Sequence, residues 1–195
     1  MDGTTAYLAA VRLVGLIGAG CGLRWWRSRS AAGRRQRRNG GGPRDPRRIE
    51  VGDIVEIGDA AYAVQGSIRL VEGEWRWAEH LLDERGGRRR LSVAESPGFE
   101  LVLWESAPHD ATVTPGAPVV ESGGRSYHWH ESGQARYTAS GSSGLPPSGT
   151  MRYHDYRAPG GARLTFEAYG EAGWEMARGE RLDSDGVTVH PQRGT

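Results

Sequence analysis

The chain has 195 residues, room for one ordinary domain or two small ones, and its thirty glycines and ten prolines favour short segments joined by turns over long helices. All 25 basic residues are arginine, but they are unevenly spread: residues 1–48 hold 11 against Asp2 and Asp45, and the remainder holds 14 against 22 acids. An acidic folded part excludes nucleic-acid binding by that part, and a single cysteine, Cys21, excludes a disulfide framework or a multi-thiolate zinc site.

From the N-terminus, Thr4 to Leu23 is an apolar run whose only charge is Arg12. At about 1.5 Å per residue, about twenty such residues just span a hydrocarbon core of roughly 30 Å. Arg12 costs about 2.5–3.5 kcal/mol on insertion, part of which snorkelling relieves. Gly15, Gly18 and Gly22 bare one face of this helix. Trp25 and Trp26 then suit the membrane interface, and Arg24, Arg27, Arg29, Arg34, Arg35, Arg37 and Arg38 form a basic collar. A collar after the apolar run predicts a single-pass transmembrane helix, residues 1–27, with the folded domain in the cytoplasm and the collar on anionic lipid headgroups. A cleaved signal peptide would carry its charge before the apolar run, and Gly18-Ala19-Gly20-Cys21 lacks the aliphatic residue of a lipoprotein cleavage box. Residues 28–48 are mostly Arg, Gly, Ser and Pro and predict a disordered basic linker.

From residue 49 to 195 short alternating runs punctuated by glycine predict an all-β domain. Apolar residues two apart on either side of Gly66 indicate a bulge there. In GEWRWAEHLL, residues 73–82, a strand puts Trp75, Trp77 and Glu79 on one face. Residues 83–89 form a charged turn, and strands follow around Leu91 and Leu101. A proline-rich break at residues 106–118 divides the region into halves, about 49–107 and 118–191. The second half repeats the short strands, with a loop at residues 140–149 composed as a flexible one. About ten strands at this spacing predict two similar-sized β-barrel or β-sandwich halves, preceded by the transmembrane helix. Both halves carry Trp or Tyr followed shortly by Glu, a hint of duplication.

Gly52, Asp53, Val55, Gly58, Tyr62, Val64, Gly66, Trp77, Glu79, Leu82, Leu91, Val93 and Glu95 are spaced as in a bacterial, actinobacterial-type membrane-anchored family, domain of unknown function 4178, and the chain resembles that family. In the second half the matching positions are Tyr127, Glu131, Gly133, Ala135, Tyr153, Asp155, Tyr156, Leu164, Glu167, Trp174, Glu175 and Gly179. The resemblance covers roughly residues 49–191, and Arg90 stands where an aromatic residue is expected. It implies a short N-terminal anchor, and gene neighbours concerned with membrane stress and polyamine synthesis.

Several residues could carry chemistry. Glu79, set among indoles, would have its pKa raised by burial and could act as acid or base, or could pair with an arginine of the adjoining turn. His128 and His130 lie two apart and could hold a metal with Glu131, His109 or His154 as third ligand, or could be exposed strand residues. Glu167 and Glu175 fall side by side on neighbouring strands, where Arg157, Arg163 or Arg178 could neutralise them. No nucleophile elbow or phosphate loop is present. Aromatic and acidic side chains together suit cations and amines. The expectation is a membrane-tethered, non-catalytic cytoplasmic domain that binds a protein partner or a small polar or cationic ligand through Trp77, Glu79, Tyr156, Glu167 and Glu175. It requires no cofactor, and the lipid bilayer is met through residues 4–23. The alternative is a hydrolytic or metal-assisted enzyme that uses Glu79, Glu167 or the His128/His130 pair.

Overall fold

The computed structural model describes residues 44–83, 89–96, 98–108 and 113–192. The expected anchor at residues 1–27 and the linker as far as residue 43 lie outside them. No helix among the described residues is long and apolar enough to cross a membrane.

The described chain is all-β. A first meander runs through β1 (Ile54–Ile57), β2 (Ala60–Glu72), β3 (Trp75–Leu82), β4 (Arg89–Ser96) and β5 (Glu100–Ala107). A second runs through β6 (Val119–Ser122), β7 (Arg125–Gly141), β8 (Ser148–Arg157), β9 (Ala162–Tyr169) and β10 (Glu175–Leu182), and β11 (Val187–His190) returns to β1. Every pairing is antiparallel, and the eleven strands form one sheet in the order β11-β1-β2-β3-β4-β5-β10-β9-β8-β7-β6, with a further pairing of β2 with β7.

That further pairing closes eight of the strands, β2 to β5 and β7 to β10, into a barrel. The halves expected as separate barrels or sandwiches are therefore two half-barrels of one wall. A meander alone leaves two edges of unpaired backbone groups. Here β2 meets β7 over Gly66–Val71 and β5 meets β10 over Leu101–Ala107, so each half satisfies the other's edges.

Strand alternation sorts side chains to two sides of the wall. Outward, Leu91, Val93 and Leu101 join Val55, Tyr62, Val187 and Val189 in a core between the wall and the β1/β11 extension. On the opposite flank Leu164, Phe166 and Met176 join Val120, Tyr127 and Tyr156 under β6. Inward, Ile68, Leu70, Ala135, Tyr137 and Met151 form an apolar cluster on which Leu145 packs. The loop at residues 140–149, flexible in composition, is bonded back onto the barrel: the Ser142 N–H donates to Gln65 O at 2.8 Å, and the Ala139 N–H donates to Pro147 O at 2.9 Å. The bulge expected at Gly66 is present as a register shift between Val64 and Gly66.

Candidate ligand-binding site

Within the barrel, on the wall away from Ile68 and Leu70, lies a cavity of about 480 Å³. Strand period explains its lining. On β3 the inward set is Trp75, Trp77 and Glu79, as the alternation of GEWRWAEHLL predicts. Its neighbour β4 contributes Ser92 and Ala94, and β5 contributes Glu100, Val102 and Trp104. Across the cavity stand Tyr153 and Asp155 of β8, with Arg163 and Glu167 of β9. The Trp104 ring leans over β10 at Gly179, where a β-carbon would stand 2.5 Å from the indole, so only glycine leaves this ring room.

At one end of the cavity Arg90 lies between two acids, with a third, Asp155, nearby. Glu79 and Glu167 are buried, and Arg90 reaches between them: its Nε lies 3.0 Å from Glu79 Oε2, and its Nη2 donates to Glu167 Oε1 at 2.6 Å. The Tyr169 hydroxyl bridges the same carboxylates, at 3.5 Å from Glu79 and 3.4 Å from Glu167. Asp155 faces Thr165 across the β8–β9 ladder and Glu131 across the β7–β8 ladder.

Burial works against the charge on Arg90, but Glu167 and Glu79 outweigh it and raise its pKa above the ordinary value. The acids are less well served. Asp155 is pushed up to about 7 by burial, against the Thr165 hydroxyl, with Glu131 and Glu79 adding to the rise. Glu167 is raised well above its ordinary value by burial, which Arg90 opposes and the charges of Glu79 and Asp155 reinforce. Arg90 contacts two of the three carboxyls, which leaves the group short of positive charge. The Arg90 Nε contact with Glu79 is ionic without a directed hydrogen bond, and the indole N–H of Trp104 has no acceptor among the described residues. Buried donors in that state are costly unless a bound group or water accepts from them.

Of the residues expected from sequence, Trp77, Glu79 and Glu167 meet in this cavity. Tyr156 borders it, but its ring sits in the outward cluster with Phe166, and its hydroxyl accepts from the Gly116 N–H at 2.8 Å. Glu175 pairs with Glu167 in register, as expected, yet it is exposed and does not line the cavity. The partner of Glu79 comes from β4 rather than the turn, and Arg90 takes the neutralising role expected of Arg157, Arg163 or Arg178. His128 is exposed, and His130 sits at the cavity mouth 3.8 Å from Glu131. A register shift between Trp129 and Glu131 makes His130 the extra residue of a bulge, which breaks the two-residue period that would pair the imidazoles. His154, a suggested third ligand, is bonded to Ser132 at 2.6 Å, and His109 lies outside the described residues. Among the described residues no group of three or more His, Cys, Asp or Glu is arranged for a metal ion.

Sequence reasoning missed Arg90, Asp155 and Trp104. Arg90 carried a signal, as the charged residue standing where an aromatic one was expected. Asp155 stood among the family-like positions and was assigned no role.

No solved structure matches this chain. An uncharacterised protein of Mycobacterium bovis is 37% identical over 153 residues, covering 75% of this chain and 73% of that protein. Uncharacterised proteins from two strains of Mycobacterium tuberculosis match at the same identity and coverage. The family model described as Domain of unknown function (DUF4178) matches residues 50–184, and the chain belongs to that family.

Proposed function

We propose that this domain is a non-catalytic binding module that takes a small cationic ligand, an amine, into the barrel. The observation that carries the reading is the charge deficit inside the cavity: Arg90 contacts Glu79 and Glu167, and Asp155 beside them feels its charge only weakly. An ammonium group seated there replaces protons that the acids otherwise hold. Trp77, Trp104 and Tyr153 supply ring faces and edges against which a cation and its alkyl chain can rest. A cavity of about 480 Å³ falls in the size range of small-molecule sites.

In this proposal residues 4–23 tether the module to the membrane and the arginine collar keeps it on the cytoplasmic face, in a membrane-stress setting. That part rests on the apolar run and the charge that follows it. A protein partner would instead engage the exposed rings, Trp75 at the mouth and Trp129 on β7. The enzymatic alternative would use the buried carboxyls of Glu79 and Glu167 as acid and base.

Calorimetric titration of the full chain in detergent with hexylamine tests the reading. Binding is expected, with protons released near pH 7 as Asp155 ionises against the ammonium, seen as a heat that varies with the buffer's ionisation enthalpy. Asp155→Asn should weaken binding about tenfold, as loss of a charge-assisted contact does. Glu175→Gln, outside the cavity, should leave it within about twofold of the parent. Absence of hexylamine binding to folded protein, or equal effects of the two substitutions, would sink the amine reading.

A further inference from the structure

The mouth of the same cavity carries the opposite charge pattern. Arg157 of β8 and Arg163 of β9 are direct cross-strand neighbours. Arg163 Nη2 donates to Glu100 Oε1 at 2.7 Å, and Arg181 Nε of β10 approaches the same oxygen at 3.6 Å. All four residues line the cavity. The other acid at the mouth, Glu131, lies 3.8 Å from His130. Two guanidiniums therefore share one carboxylate, and a third, that of Arg157, stands across the ladder from Arg163. Like charges directly opposite on a ladder repel, and Glu100 is the acid that contacts Arg163 and Arg181. Arg163 is less exposed, its side chain at 16%, whereas Arg181 is 59% exposed, so the positive charge grades from the inner wall to solvent.

We infer that the ligand is zwitterionic: its ammonium end meets Glu79, Asp155 and Glu167, and a carboxylate or phosphate end is held at the rim by Arg157, Arg163 and Arg181. The inference rests on the amine reading and adds the second charge. Guanidiniums present paired donors that match the planar edge of a carboxylate and the oxygens of a phosphate. The two ends lie a definite distance apart. Arg163 and Glu167 are four residues apart on β9, roughly 13 Å of strand. Allowing about 3 Å for each ionic contact, about 7 Å remains between the ligand's charges, a span that an extended 6-aminohexanoate can supply. A diamine of equal length would bring a second cation into the arginine cluster, and a dicarboxylate would bring an anion onto the acids. Both are disfavoured by the same geometry.

The test compares hexylamine, hexanoate and 6-aminohexanoate by calorimetry on the full chain. The zwitterion should bind about tenfold more tightly than hexylamine, and hexanoate weakest of the three. Substituting the two solvent-facing arginines together, Arg157→Gln with Arg181→Gln, should bring 6-aminohexanoate down to the affinity of hexylamine. Circular dichroism of the double variant verifies that the barrel is retained. Hexylamine binding with no gain for 6-aminohexanoate overturns this inference and leaves the amine reading standing. Hexanoate binding without hexylamine binding overturns the amine reading and the zwitterion with it, and leaves an anion site at the rim. Failure of all three to bind folded protein overturns both.

Discussion

The two meanders share a frame and differ in what they place inside it. In the first, Val55 pairs with Tyr62 across a turn at Gly58; in the second, Val120 pairs with Tyr127 across a turn at Gly123, each residue 65 positions after its counterpart. The same offset carries the bulge between Val64 and Gly66 onto the one between Trp129 and Glu131, and Ser67 onto Ser132. Each serine faces a histidine directly across the next ladder: Ser67 with His80 at 2.8 Å, and Ser132 with His154 at 2.6 Å. The inward residues do not follow this repetition. By ladder position Glu79 corresponds to Tyr153, Arg90 to Thr165 and Ser92 to Glu167. A scaffold used twice fixes turn, bulge and wall, while the inner faces diverge into one polar group made by both halves. That contrast locates specialised chemistry inside the barrel, and it can be broken at chosen points.

The largest break should come from Arg90→Met. Burial of both glutamates without their shared partner leaves uncompensated charge in the wall, a loss of about 3–5 kcal/mol. The acids can escape by taking up protons, so the variant should recover part of its stability as pH falls. Chemical denaturation of parent and variant at pH 7 and pH 5 reads this directly. A loss of the same size at both values would mean that Arg90 serves by packing rather than charge. The corresponding change in the other half, Thr165→Val, should cost far less, since no ion pair depends on that side chain.

A smaller break separates the two serine and histidine pairs. Ser67 and His80 are both buried on the outward side of the wall, whereas Ser132 is exposed. Ser67→Ala strands the His80 ring nitrogen without a partner and should cost about 1–3 kcal/mol. Ser132→Ala, where water can replace the hydroxyl, should stay within about 0.5 kcal/mol. Equal losses at the two sites would show that burial is not what distinguishes them. The buried pair resembles a nucleophile and base in spacing, but it lies outside the cavity lining, and its surroundings give it a structural role.

Much of this wall was legible in the sequence, and the illegible parts have one cause. Periodicity two identifies the strands, the face shared by Trp75, Trp77 and Glu79, and the bulge at Gly66, because each depends on neighbours along the chain. Closure depends on β2 meeting β7 and β5 meeting β10, contacts between residues far apart in sequence that no local pattern encodes. Without closure, inside and outside cannot be told apart: Asp155 and Tyr156 are adjacent, and only the barrel decides that the acid faces the cavity and the phenol the outer core. The bulge at His130 had a signal that was available, its position 65 residues after Gln65, but two imidazoles two residues apart pointed to a pairing that the bulge prevents. Arg90 is marked in the sequence as a charge where an aromatic residue is expected, but its role appears only when β9 brings Glu167 to it.

The smallest expected effect concerns the protonation of the two histidines. Burial, and then the charge of Arg69, lower the pKa of His80 from 6.5 to about 3. His154 is also lowered, by burial and then by Arg152, while its ring packs against Trp174 at 4.9 Å, tilted by 42°. The folded state thus holds His80 neutral, and the unfolded chain protonates it once the pH drops below its ordinary value. Below pH 6.5 the unfolded state binds more protons than the native one, so this residue's contribution to stability is present above that value and is lost as pH falls toward about 3. Asp155 acts in the opposite sense. Its raised pKa favours the folded state at acid pH, and that contribution is lost as pH rises through about 7. The two trends overlap between roughly pH 4 and 6.5, where they partly cancel. An NMR titration of the imidazole protons resolves them: His80 should show no midpoint between pH 5 and 8, and His154 should titrate below its ordinary value. A midpoint for His80 near 6.5 would place water beside it and remove the burial that distinguishes its pair from the one at Ser132.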